Sequence, residues 1–259
     1  MTKETSKLYV GWYDASKRFW YPVGQICTTA EGFQFEYLSG AIQARNLAGF
    51  RGIFQFPDFN QKYVSRELFA FFTNRLLTSS RDNFDEEVEK MGLEVTSQEL
   101  HPFDVLSRTN GRRVTDTFEV YPPPTVTDDS VELIFFVRGV RYLSDELKRR
   151  WEDGKPPQHP LRLHKEPENK YDSYALRILD SDDYPLGFVP RYYTKSFYEL
   201  VDRGCQYQLD LLLHNRHPGF VRERFLVKLT CRTFDGWRFP QSDLYESIAE
   251  QSGESILVA

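Results

Sequence analysis

Three consecutive prolines stand in the segment Tyr121-Pro-Pro-Pro-Thr-Val-Thr-Asp-Asp-Ser130. Proline has no amide proton to donate and locks φ at about −65°, so such a run fits neither a helix interior nor a central strand. It favours an extended polyproline II spacer. Polar residues follow before the chain turns strongly apolar at Val131–Val137. The expectation is a short, stiff linker between two folded units, and 259 residues suffice for both. The predicted divisions are an α+β domain over 1–121, a linker over 122–130, a mainly β domain over 131–235 and an acidic tail over 236–259.

Composition removes several classes. Apolar residues make up 40% and charged residues 27%, and no run approaches the ~18 uninterrupted apolar residues of a membrane span. The opening MTKETSKLYV lacks the apolar core of a secretory signal. Cys27, Cys205 and Cys231 are too few and too scattered for a disulfide scaffold, and with no CxxC pair a zinc site is not expected. A cytoplasmic protein without membrane contact is therefore expected. The net charge is −5, yet residues 138–232 carry 18 Lys/Arg against 14 Asp/Glu. An acidic whole can hide a basic face.

In the first half, Leu8–Tyr13, Trp20–Ile26 and Gly32–Leu38 alternate as three strands of a meander. Leu68, Phe69, Phe72 and Leu76 predict a helix over Ser65–Leu77 capped by Ser65. Further helices are predicted over Asn83–Met91 and Phe103–Ser107, then a strand over Val114–Tyr121. In the second half, strands are expected at Glu132–Val137, Pro160–His164, Tyr174–Leu179, Pro185–Val189, Tyr207–Leu213 and Arg224–Cys231. Helices are expected from Ser144 and from Thr194, the latter running to Val201 and stopped by Gly204. Short strands with a packed helix suggest a small, partly open β-barrel.

Enzyme signatures are missing: there is no P-loop, dinucleotide fingerprint, nucleophile elbow or HExxH. No catalytic residue, metal or cofactor is expected, and His214 and His217 read as solvated loop residues. One cluster stands out. Glu166-Pro-Glu-Asn-Lys-Tyr-Asp172 is a turn-rich loop presenting Asn169, Tyr171 and Asp172. Arg141-Tyr142 lies at the end of the opening strand, and Arg191 just beyond Gly187-Phe-Val-Pro190. Brought together, such loops offer aromatic faces for bases, guanidinium groups for phosphates, and a carboxylate for a sugar hydroxyl. That combination suits a strand end better than a continuous backbone. The other reading makes Tyr171 a core aromatic and Asp172 a turn former.

The Arg141-Tyr142 pair, the block Glu-Pro-Glu-Asn-Lys-Tyr-Asp-Ser-Tyr-Ala-Leu-Arg-Ile (166–178), and Leu186-Gly-Phe-Val-Pro190 before a helix resemble the HIRAN family. This small domain occurs in certain DNA-remodelling helicases and in bacterial proteins, and the resemblance covers about 131–232. It implies an OB-like barrel that binds the 3′ end of single-stranded DNA. Tyr142 and Tyr171 would stack on bases, Asn169 would line the pocket, Asp172 would recognise the 3′-hydroxyl, and Arg141 and Arg191 would contact phosphates. Phe188 stands where the family can carry a polar ring, and Phe220 is the candidate for a later stacking aromatic. Asp145–Asp153 reads as an inserted helix. No helicase motor follows, so ATP-driven activity is not implied.

The first half resembles the N-terminal subdomain of HipA-type toxin kinases. The matching pieces are Leu8-Tyr-Val-Gly with Val23-Gly24, Phe33–Tyr37, Phe71–Leu77, and Phe103–Leu106 with Gly111. The kinase core is absent. The resemblance implies protein–protein contact, with a HipA-like kinase as a candidate partner. Phe54, Phe56 and Phe59 could form such an interface or fill a core. The reading that results is a non-enzymatic DNA-binding protein of repair, stress response or phage defence. The alternative is an antitoxin-like partner of a HipA-type kinase.

Overall fold

Residues 7 to 37 run back and forth as the predicted meander: β1 (Lys7–Asp14), β2 (Phe19–Thr29) and β3 (Gly32–Tyr37). The computed structural model describes residues 6–77, 83–93, 100–153, 155–217, 221–249 and 255–257. They divide into two compact units. The first comprises Met1–Phe84, Thr96–Pro123 and Ser242–Ala259; the second comprises Asp85–Val95 and Pro124–Gln241. Part of the segment read as an acidic tail therefore belongs to the first unit. A short piece from before the proline run belongs to the second.

In the first unit the meander extends to β4 (Lys62–Ser65) on one side and β5 (Phe118–Tyr121) on the other. A final short strand, Ser255–Leu257, runs parallel to β4. Helix α1 (Ser39–Ala48), absent from the sequence expectation, lies against β2. Its inner face is small, Gly40, Ala41 and Ala44, all buried. A Cβ at Gly40 would stand 2.1 Å from the Pro22 carbonyl oxygen, so the helix sits closer to the sheet than any side chain allows. Gly49, at φ 73°, ends it in the left-handed region, with its amide donating to Arg45 O at 3.3 Å and the Phe50 amide to Ala44 O at 3.2 Å.

The helix expected over Ser65–Leu77 shrinks to α2 (Ala70–Thr73). Lys62–Ser65 is taken by pairing with β3, and the Ser65 hydroxyl accepts from the Glu67 amide at 3.2 Å, well before the helix begins. The apolar periodicity still serves packing: Phe69 and Phe72 are buried in a core built largely of rings. Phe35 stacks on Phe56 at 4.0 Å, and Tyr37 stacks on Phe59 at 4.3 Å. Of the three phenylalanines considered for an interface, Phe56 and Phe59 are core, and Phe54 is fully exposed. Helix α3 (Phe84–Lys90) enters the second unit from Asp85 on, and α4 (Pro102–Thr109) returns to the first.

The second unit contains two antiparallel sheets. One orders β11 (Tyr207–His214), β12 (Phe225–Arg232), β7 (Ser130–Phe136) and β6 (Thr125–Val126). The other orders β10 (Pro185–Phe188), β9 (Ala175–Leu179) and β8 (Arg162–Glu166). Among the described residues one bridge joins them, in which the amides of Arg138 and Phe188 each donate to the other's carbonyl at 2.8 Å. The predicted OB-like barrel is not closed among the described residues, since β8 and β11 remain edges of their own sheets. The pairing stops at one bridge because Gly139, at φ 78°, turns the chain into a 3-10 turn over Val140–Tyr142. Arg141 and Tyr142 therefore sit on that turn and not at a strand end. Helix α5 (Asp145–Glu152) begins after Ser144, whose hydroxyl accepts from the Leu147 amide at 3.3 Å. Helix α6 (Arg191–Asp202) packs on β9 and starts three residues before Thr194, the expected cap. Among the described residues no helix is long and apolar enough to cross a membrane.

Candidate nucleic-acid interface

The loop between β8 and β9 is built from two successive side-chain turns. Asn169 Oδ1 accepts from the Tyr171 amide at 3.0 Å, and Asp172 Oδ1 accepts from the Tyr174 amide at 3.0 Å. Short polar side chains of this kind replace a backbone turn with their own hydrogen bonds. Asn169 also donates through Nδ2 to Glu166 Oε2 at 2.8 Å, which ties the loop to the end of β8.

Helix α6 holds the far side. Thr194 Oγ1 donates to Asp172 Oδ2 at 3.0 Å and also to the Arg191 carbonyl at 2.9 Å. Arg191 Nε stands 3.8 Å from the same Asp172 oxygen, and its guanidinium donates to the Tyr171 carbonyl. Thr194 was expected only as a helix cap. It is instead part of the loop's anchor, a role without a local sequence signal because the partners are 22 residues apart.

The turn-former reading of Asp172 therefore holds in the geometry, whereas the core reading of Tyr171 does not. The Tyr171 side chain is 47% exposed, with Lys170 Nζ 4.7 Å from its ring centroid. Tyr174 is exposed beside it in sequence and meets Tyr198 edge-on at 5.6 Å.

Arg141 and Tyr142 form a second group. Tyr142 is 76% exposed, and the Arg141 guanidinium lies 4.6 Å from its ring centroid and donates to its hydroxyl. Phe188 connects this group to the sheet. Its ring lies against Gly139, where an added Cβ would stand 3.1 Å away, and the Arg177 guanidinium lies 4.9 Å from its centroid. Arg177 in turn reaches Glu166 at 2.5 Å, back at the loop base. The structure thus brings Asn169, Tyr171, Asp172 and Arg191 into one bonded cluster, and sets Arg141 with Tyr142 on the turn next to Phe188. Phe220 lies outside the described residues. Among those residues no group of three His, Cys, Asp or Glu side chains could hold a metal ion. Such an arrangement, with exposed rings flanked by cations and a carboxylate held in place, can stack planar groups and attract phosphates.

The second unit is, by fold, a β-rich domain of antiparallel sheets with its exposed aromatics on loops. Comparison places it further: residues 130–224 match the model of the HIRAN domain family, a range that holds all eight candidate residues. No curated protein matches the chain significantly. Among solved structures, a crystal structure of a protein from Lactobacillus plantarum is 19% identical, covering 43% of this chain and 100% of that one, with a TM-score of 0.32. A likeness of that size carries no argument here about fold or function.

Proposed function

We propose that the second unit binds DNA and receives the 3′ end of a single strand. The observation that carries this reading is the exposed Tyr171 ring on a loop pinned by Asp172 and Arg191. Tyr171 and Tyr142 stack on bases, and Arg141 and Arg191 face phosphates. An ionised carboxylate offers about four acceptor positions. Thr194 and the Tyr174 amide use two at Asp172. The Asp172 side chain is 15% exposed, so a terminal hydroxyl can reach another. A 3′-phosphate would instead set negative charge against it. The role is binding, with no catalytic residue assigned and no cofactor.

Fluorescence anisotropy with matched oligonucleotides tests the reading. A 3′-hydroxyl strand is expected to bind more tightly than its 3′-phosphorylated twin. Tyr171→Ala is expected to cost about 1–3 kcal/mol, the worth of one base–aromatic stack. Equal affinity for both ends, with Tyr171→Ala unchanged, overturns the reading.

A second reading assigns the first unit to protein contact, with a HipA-type kinase as partner. Full exposure of Phe54 favours a protein contact, while the kinase comes from the sequence resemblance alone. Co-expression with kinase-like proteins should restore growth, and Phe54→Asp should abolish the rescue.

A further inference from the structure

Helix α5 carries a feature that the proposed 3′-end site, the cup of Tyr142, Tyr171, Asp172 and Arg191, does not use. A cleft of about 490 Å³ lies beside it, lined among others by Glu146, Arg149, Arg150, Asp153, Lys155 and Tyr184. Several cations of this unit are already neutralised: Lys148 by Asp145 at 3.2 Å, Arg224 by Glu152 at 2.8 Å, and Arg162 by Asp183. Among the described residues, Arg149, Arg150 and Lys155 have no such carboxylate partner. Arg150 is held by stacking instead. Its guanidinium lies 3.8 Å from the Tyr184 ring centroid and 5.4 Å from that of Trp151, and its buried Nε has no hydrogen-bond partner. A guanidinium fixed through its face keeps its edges for an acceptor. Glu146 and Asp153 share the cleft, so it holds one positive charge in excess.

Along the chain, the helix that lines this cleft follows directly on the turn that carries Tyr142. Tyr142 precedes α5 by only Leu143 and Ser144. The eight residues of α5 rise about 12 Å in all. That matches about three or four phosphates of a stacked strand at roughly 3.4 Å each.

We propose that the α5 cleft binds the sugar–phosphate backbone of the same strand, a few nucleotides before its 3′ end. Arg149, Arg150 and Lys155 take the phosphates. The inference rests on the reading of the second unit as a DNA binder and extends its footprint.

The test uses the full chain and the double variant Arg149→Glu/Lys155→Glu. Both side chains are exposed and have no carboxylate partner among the described residues, Arg149 donating only to the Asp145 carbonyl at 3.3 Å, and circular dichroism checks that the fold is kept. Wild-type affinity for single-stranded oligonucleotides is expected to rise about tenfold from a trinucleotide to an octanucleotide. The double variant is expected to lose that gain while keeping the preference for a 3′-hydroxyl. Its slope of log affinity against log salt is expected to fall by about 1.4, at about 0.7 for each lost contact. An unchanged length series and salt slope in the variant overturn the cleft. If Tyr171→Ala binds normally while the double variant binds weakly, the cleft stands and the 3′-end cup falls. If the wild-type chain binds no oligonucleotide, both fall.

Discussion

At the scale of single residues, polar side chains decide where the loops point. Asn169 and Asp172 each hold the amide two residues on, a short-range role that sequence reading could anticipate. The exposure of Tyr171 could not be read that way, because an aromatic next to a turn is as easily core as surface. His214, read from sequence as a solvated loop residue, shows the same limit. It ends β11 and stacks on Phe225 at 4.9 Å, with Trp151 beyond it. Burial, and then the nearby Arg224 charge, hold its imidazole below the usual value of 6.5, against an opposing hydrogen bond with the Trp151 backbone. The folded state therefore disfavours the proton, and the unfolded chain takes it up first as pH falls. The stability due to neutral His214 is complete above the unfolded value and is lost as pH drops through the lower folded one. Urea midpoints compared between about pH 8 and pH 5 should fall more steeply for the wild type than for His214→Phe.

At the scale of elements, alternation predicted most strands, since a half-buried strand writes its period of two directly into the sequence. Helices were harder. Gly40, Ala41 and Ala44 make α1 fit the sheet through smallness, which leaves no strong apolar stripe to read. Around α2 the apolar stripe was present, but pairing of β4 with β3 claimed the residues before it. Among the described residues the two sheets of the second unit meet at one position. Gly187, at φ 140°, lets β10 approach the Arg138 carbonyl, and an added Cβ would stand 2.2 Å from that oxygen. Gly187→Ala should cost about 3 kcal/mol in urea unfolding, and should weaken DNA binding because Phe188 and the Gly139 turn shift together. Gly204→Ala is the control: its φ is 74°, with nothing within 4 Å of an added Cβ. Its cost should stay at about 1 kcal/mol, the price of the left-handed backbone alone.

At the scale of the whole molecule, the two units are not two stretches of sequence. Residues from Ser242 onward complete the first unit. The Tyr245 hydroxyl meets that of Tyr121 at 2.9 Å, Ser247 Oγ donates to buried Glu36 at 2.5 Å, and the Ser39 amide donates to Glu246 O at 2.8 Å. Ala249 is completely buried. A chain ended after Gln241 should lose about 2–3 kcal/mol in the first unit, since Glu36 keeps its burial and loses a donor. Calorimetry should show that unit's transition lowered by several degrees, with oligonucleotide affinity of the second unit unchanged. The sequence by itself determined the proline break, the alternating strands, the two-turn loop of Asn169 and Asp172, and the likeness of residues 130–224 to the HIRAN domain. Those signals are local, carried within a few residues of one another. Tertiary structure alone decided which segments join which unit, that the sheets stay open, and that Thr194 and Arg191 seize Asp172 while Tyr171 stays at the surface. Each of these depends on contacts between residues far apart in the chain, and no periodicity along the chain records them.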